Sequence, residues 1–312
     1  MPIGIRLEGC IPCFGGLREE YGRRQVVLGR SDGTSSGEPK ERNMKKIELD
    51  ELKRLQLDIL IAVHNFCKEN DIKYSLAYGT LIGAIRHKGY IPWDDDIDIM
   101  MPRNDYNRFI QSFNGTFKHL SVLAPELNLN YYAPYANVFD NRTLLKEGRN
   151  NHGKLIIGVK IDVFPMDYVS EIHDEYEKQI LLSKKLNFAL WVKRLSLGNL
   201  ILKKPMQALK VLLWRLRYLF NTYATIQKRI IYNSRLCSQS SFVTNVVYPD
   251  IYERKCNKRI LNEFENILFE GKEVTIIKEY DIYLKNIYGD YMQLPPVEKR
   301  VPLHNFEAYW ID

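Results

Sequence analysis

The segment that most constrains this chain is Pro92-Trp-Asp-Asp-Asp-Ile-Asp-Ile-Met-Met-Pro102, where four aspartates fall within five positions. Ile97 to Met101 reads as a β-strand, and strand side chains alternate between two faces. Asp96 and Asp98 then share one face, while Ile97 and Ile99 point into a core. Two carboxylates on one strand face, roughly 7 Å apart by strand rise, repel each other. A purely structural role does not need that arrangement. A divalent cation such as Mg²⁺ or Mn²⁺ prefers oxygen ligands and offsets the repulsion. The plainer reading is a solvated acidic turn, which leaves the alternating isoleucines unexplained.

A second segment repeats the pattern. In Val159-Lys-Ile-Asp-Val-Phe-Pro-Met-Asp167, Asp162 stands between Ile161 and Val163. An aspartate inside a strand core is disfavoured unless it has a partner, and a metal shared with Asp96 and Asp98 would supply one. Asp167, beyond Pro165, reads as the cap of a helix or turn. Upstream, Tyr78-Gly-Thr-Leu-Ile-Gly-Ala84 joins a strand to a short helix. Gly79 permits close backbone approach, Thr80 can cap the helix, and a helix N-terminus favours phosphate oxygens. Such turns are common alone; an Asp-x-Asp strand downstream makes this one specific.

Charge narrows the class further. The chain has 312 residues and a net charge of +7, long enough to bury a sizeable core without staples. The excess is uneven. From Lys178 to Pro249 there are thirteen Lys and Arg and no Asp or Glu, so the remainder is net acidic. Five irregularly spaced cysteines argue against a disulfide framework and fit a reducing compartment. Cys10-x-x-Cys13 lacks a second pair to complete a zinc site. No apolar run reaches membrane-spanning length, and the N-terminus lacks the apolar core of a signal peptide. A cytoplasmic protein is expected, with contact at the inner face of the cell membrane left open.

Residues 1–43 are rich in Gly, Arg, Ser and Glu and read as a disordered extension or a mis-assigned start, with Met44 as the natural beginning. Apolar spacing from Leu49 to Phe66 predicts a helix over 47–70. Strands are predicted over 72–77, 97–101, 120–123, 135–139 and 156–164, the last closed by Pro165; helices are predicted over 81–87 and 103–113. Residues 171–235 read as helical and basic, with a break at Pro205. A further helix is predicted around Glu263–Phe269, before a polar tail. The class is therefore α+β, a mixed sheet core with flanking helices. The boundaries are a catalytic core over 44–170, a basic helical segment over 171–249, and a C-terminal segment over 250–312 that completes the site.

The run from Gly79 through Arg86-His-Lys-Gly-Tyr-Ile-Pro-Trp-Asp-Asp-Asp-Ile-Asp98 resembles the LicD family. That family includes bacterial cholinephosphotransferases and eukaryotic fukutin-related proteins. Met101-Pro-Arg-Asn-Asp-Tyr106, Ile161-Asp-Val-Phe-Pro-Met-Asp167, Tyr288-Gly-Asp-Tyr-Met-Gln-Leu-Pro-Pro296, Glu298-Lys-Arg300 and His304 extend the likeness over nearly everything after Met44. The resemblance implies a nucleotidyltransferase-like fold. It implies transfer of a phosphorylated alcohol, with phosphocholine from CDP-choline leading, to a hydroxyl of a cell-surface glycan precursor (lipopolysaccharide, teichoic acid or capsule). Mg²⁺ or Mn²⁺ would be held by Asp94, Asp96, Asp98 and Asp162, with Asp96, Asp98 and Asp162 catalytic. Gly79 and Thr80 would meet the donor phosphates. Arg86, His87 and Lys88 suit phosphate contact or a solvated basic turn. Lys299, Arg300 and His304 suit a diphosphate clamp or a surface segment. Trp93 and Tyr90 flank the acidic loop as pocket walls. A nucleotidyltransferase attaching a whole nucleoside monophosphate and a non-catalytic membrane-surface scaffold are the rival readings.

Met206, Leu209, Leu212, Leu213, Leu216, Leu219 and Phe220 follow helical spacing, while Lys203, Lys210 and Arg217 repeat every seven residues on another face. Such a helix suits an anionic membrane through 203–220, or it buries its apolar stripe and leaves the basic face in water. No nucleic-acid motif is present, and nucleic acid is not an expected partner.

Overall fold

The computed structural model describes residues 44–147, 158–194, 205–249, 254–301 and 306–311. The expectations for residues 1–43, for His304, and for Ile156, Lys203 and Lys204 lie outside the described residues. In chain order the first elements are β1 (Lys46–Ile47), α1 (Leu49–Glu69), β2 (Ser75–Leu76), α2 (Tyr78–Arg86), β3 (Asp98–Pro102) and α3 (Arg103–Ser112). There follow β4 (Leu120–Leu123), β5 (Ala136–Asp140), β6 (Thr143–Glu147), β7 (Lys160–Val169), α4 (His173–Arg194), α5 (Pro205–Arg217) and α6 (Tyr223–Ser234). The chain ends with β8 (Phe242–Thr244), β9 (Cys256–Asn257), β10 (Phe264–Phe269), β11 (Lys272–Ile277), α7 (Tyr280–Tyr288) and β12 (Phe306–Trp310). The α+β class is the one the sequence pattern implies.

The central sheet has the strand order β2-β3-β7-β5-β4, with β8 and β9 continuing from the far half of β7. β3 and β7 run parallel; β2–β3, β5–β7 and β4–β5 are antiparallel. Asp98 stands opposite Asp162 across β3–β7, and Asn137 stands opposite Asp162 across β5–β7. One row of polar side chains thus crosses the middle of the sheet. Its neighbours Ile99, Ile161, Val163, Ala136 and Val138 are buried, as alternation requires. The apolar stripe of α1 covers the core through Leu52, Ile59, Leu60 and Val63. α4 and α6 pack on each other through Leu186, Ala189, Leu190, Ile226 and Ile230. β8 returns to the sheet by pairing with Asp167–Val169, so the segment 171–249 ends inside the sheet.

Four expectations change. Pro165 does not close its strand; β7 runs on to Val169. The Asp162 N–H bonds the Ile97 carbonyl on the β3 side, so alternation turns the nitrogen of Pro165 to the opposite side. There β5 has ended at Val163 and β8 begins at Asp167, and a residue without an N–H loses no ladder bond. Residues 264–269 form a strand, not a helix, because Glu270 and Gly271 (φ 50° and 72°) make a two-residue hairpin turn with β11. The polar tail includes β12, which pairs with both β1 and β6. Asp167 caps nothing. It lies in β7 and accepts two hydrogen bonds from Arg103, at 2.6 and 2.9 Å, while Arg103 also reaches Glu126 at 3.1 Å. Burial pushes the Asp167 carboxyl up, and Arg103 opposes that shift.

Candidate active site

The β2–α2 turn is tighter than its sequence implied. α2 starts at Tyr78, whose φ of 47° is unusual for a bulky residue. The turn is held by packing. The Tyr78 ring meets Phe164 edge-on at 5.4 Å, and its hydroxyl accepts from Asn245 Nδ2 at 3.0 Å. Strain of this kind costs about 1–3 kcal/mol and collects at functional sites. Thr80 does not cap the helix. It lies within α2, and its Oγ1 accepts the backbone N–H of Asp98 at 2.9 Å, tying the helix to the start of β3. A Cβ on Gly79 would sit 2.8 Å from Asp94 Oδ2, so the glycine makes room for that carboxylate. At Gly83 it would strike the Gly89 carbonyl at 2.5 Å, which is why α2 lies so close to the following loop.

The acidic loop presents Asp94, Asp95 and Asp96 together, with carboxylate oxygens all within 4.8 Å of one another. This corrects the strand argument: β3 begins at Asp98, so Asp96 belongs to the loop before it. Asp95 was absent from the expected ligands; the unbroken Asp94-Asp95-Asp96 run was the available signal. Two elements hold the loop. Gln56 of α1 donates its Nε2 to the Asp95 carbonyl at 3.0 Å. Glu270, at the hairpin tip, accepts the Tyr90 N–H at 3.0 Å. Tyr90 is an anchor as well as a wall, since it lines a cavity with Lys53, Arg54 and Glu270. Its hydroxyl donates to the Lys53 carbonyl at 3.0 Å, and its ring packs on Phe269 at 5.2 Å.

Burial pushes the Asp98 carboxyl well above its usual range; the charges of Asp96, Asp162 and Asp94 push it further, and Lys160 opposes them. Asp162 has protein partners, so it does not depend on a metal for one. Its Oδ1 accepts from Lys160 Nζ at 2.6 Å and from Asn137 Nδ2. Asn137 in turn accepts from the Tyr131 hydroxyl. Lys160 shares the Asp162 face of β7 at a spacing of two, a signal the sequence carried. Asn137 arrives from β5 and no local pattern announces it.

A cationic group adjoins the acidic one. The Arg300 guanidinium lies 5.6 Å from the centre of the Trp93 ring, and His87 meets the same ring edge-on at 6.4 Å. Arg86 donates to the Tyr291 carbonyl at 2.6 Å. Burial lowers the Arg86 pKa, and the nearby charge of Arg300 lowers it further. Trp93 immediately precedes Asp94, so the segment 291–300 is brought against the acidic loop. The Lys299 side chain and His304 lie outside the described residues.

A family model described as LicD/FKTN/FKRP, nucleotidyltransferase domain, matches residues 71–189, which contain the α2 turn, the acidic loop and Asp162. The lipopolysaccharide cholinephosphotransferase LicD of Haemophilus influenzae is 33% identical over 277 residues, covering 85% of this chain and 99% of that protein. The chain belongs to the LicD family. Shorter matches join it to uncharacterized proteins of Rickettsia typhi, 40% identical over 78 residues (25% of each chain), and Rickettsia prowazekii, 39% identical over 66 (21% of this chain, 25% of that protein). For a LicD chain, the resemblance carried by Gly79–Asp98 and Ile161–Asp167 thus has a whole-length counterpart. Among the described residues no helix is long and apolar enough to cross a membrane.

Proposed function

We propose that this chain transfers phosphocholine from CDP-choline to a hydroxyl of a lipopolysaccharide-type glycan, in an Mg²⁺-dependent reaction. The name of the Haemophilus influenzae relative supports the transferred group and the acceptor. The observation that carries the reading is the meeting of opposite charges at Trp93, with aspartates on one side and Arg86 and Arg300 on the other; His87 beside them is held neutral by burial and the charge of Arg86. A nucleoside diphosphate donor needs both: a cation site, and donors for its phosphate oxygens.

The residues fit a hard divalent ion. The donor set is all oxygen, three carboxylates converge, and burial disfavours a fourth charge on Asp98. Asp94, Asp95, Asp96 and Asp98 would hold it. When bound, such an ion neutralises charge on the leaving nucleotide. Arg86 and Arg300 bind and orient the diphosphate. Lys160 and Asn137 fix the carboxylate of Asp162, which is the candidate to attract the proton of the acceptor hydroxyl.

The test is incubation of the chain with CDP-choline, Mg²⁺ and lipopolysaccharide, followed by mass analysis. The expected product gains one phosphocholine and CMP is released, and chelator stops both. Gain of a CMP mass instead would establish nucleotidyl transfer; no donor consumption would overturn the reading. Gly79→Ala gives a sharper check. Alanine is the better helix former by about 1 kcal/mol, so the melting temperature should hold or rise. The displaced Asp94 carboxylate should lower kcat/KM roughly 10²-fold, since a misplacement of about 1 Å has that effect.

A further inference from the structure

α5 is turned opposite to what burial of an apolar stripe would give. It rests on α4 through Trp214, Arg215 and Tyr218. Trp214 meets Phe188 edge-on at 4.8 Å, and Arg215 Nε donates to the Val192 carbonyl at 3.2 Å. The leucines that the heptad pattern places on one face point to solvent: Leu213 is 58% exposed, Leu216 56%, Leu219 60%, and Phe220 just beyond the helix 94%. Leu209 and Leu212 are exposed on the same face. On α4, Trp191 is exposed and packs on Phe188 at 5.4 Å, which extends the apolar surface. Contiguous exposed apolar surface of this kind marks an interaction site.

Charge selects the occupant. Arg217 lies one turn after Leu213 and is exposed, and the segment 178–249 carries thirteen cations and no acid. A second copy would set two surfaces of the same sign together. An anionic bilayer complements the charge and receives the leucines and Phe220 into its acyl boundary. We infer that the outward face of α5 docks on an anionic lipid surface, with the helix lying in the plane of the interface. The inference is independent of the donor and acceptor assigned above.

The experiment is co-sedimentation of the full chain with extruded vesicles of phosphatidylcholine, with and without phosphatidylglycerol. Binding is expected to the anionic vesicles, falling with added salt, and to be weak on the neutral ones. Leu213→Glu with Leu216→Glu is expected to reduce binding at least about tenfold at an unchanged melting temperature, because both side chains are exposed. Arg217→Glu, which spares the leucines, is expected to reduce it by a smaller factor. A wild-type chain left in the supernatant overturns the proposal, as does a double variant that sediments like wild type. So does a vesicle-free dimer that the double variant dissociates, since a second copy then covers the face. Turnover of CDP-choline in vesicle-free buffer should be the same in all three chains, which separates this proposal from the catalytic one.

Discussion

Asp98→Asn is expected to lose roughly 10²–10³ in transfer rate while becoming more stable than wild type in chelator. Both effects have one cause. Asp98 is surrounded by Asp94, Asp96 and Asp162, and burial adds to the difficulty of charging it. A carboxyl whose folded-state pKa is raised contributes stability that is fully present below its unfolded pKa and is lost as pH rises through the folded value. The metal-free chain should therefore melt at a lower temperature as pH climbs above the ordinary carboxylate range. The amide introduced by Asp98→Asn cannot ionise, so that fall should flatten in the variant, and Mg²⁺ should restore stability to wild type at neutral pH. Thermal melts across pH, with chelator and with Mg²⁺, check this. An unchanged slope in the variant, or a wild-type turnover number, would falsify the assignment of Asp98.

Arg103→Met should act on stability. The Arg103 side chain joins Asp167 and Glu126 where all three are almost closed to solvent. Removing it strands the buried carboxylate of Asp167 and leaves Glu126 with only the Tyr106 hydroxyl and the more distant Arg235, at an expected loss of about 3–5 kcal/mol. Against a typical total of about 5–15 kcal/mol, that is a large part of the stability of the chain. Adding Asp167→Asn to Arg103→Met should recover part of the loss, because one stranded charge is gone. Urea unfolding of the two variants is the measurement; equal stability of Arg103→Met and wild type would sink the argument. The site would feel the change, since Arg103 follows β3, which carries Asp98, and Asp167 lies on β7, which carries Asp162.

The sequence was most legible where one short stretch contained the whole physical cause. β4 matches its expected bounds, and α1 and α3 fall within a residue or two of theirs, because apolar periodicity is local. The aspartates announced themselves by number and by alternation with isoleucine. Where two distant segments decide, local reading failed. Residues 264–269 looked helical because their partner strand was not considered. That Tyr90 anchors the loop was hidden because its partners, Lys53 and Glu270, are far away in the chain. The positive φ of Tyr78 has no signature of its own; packing on Phe164 and the bond from Asn245 hold it.

By itself the sequence determined the α+β class, the acidic loop, the family and the division of charge between a basic block and an acidic remainder. Each follows from residue type and spacing along one chain. Tertiary structure alone decided that Asp162 stands beside Asp98, that Lys160 and Asn137 occupy its Oδ1, that Arg300 returns to Trp93, and that the leucines of α5 face outward. Periodicity establishes that a helix or strand has two faces. Which face is buried, and which residue stands opposite, is set by non-local pairing and by competition for the core.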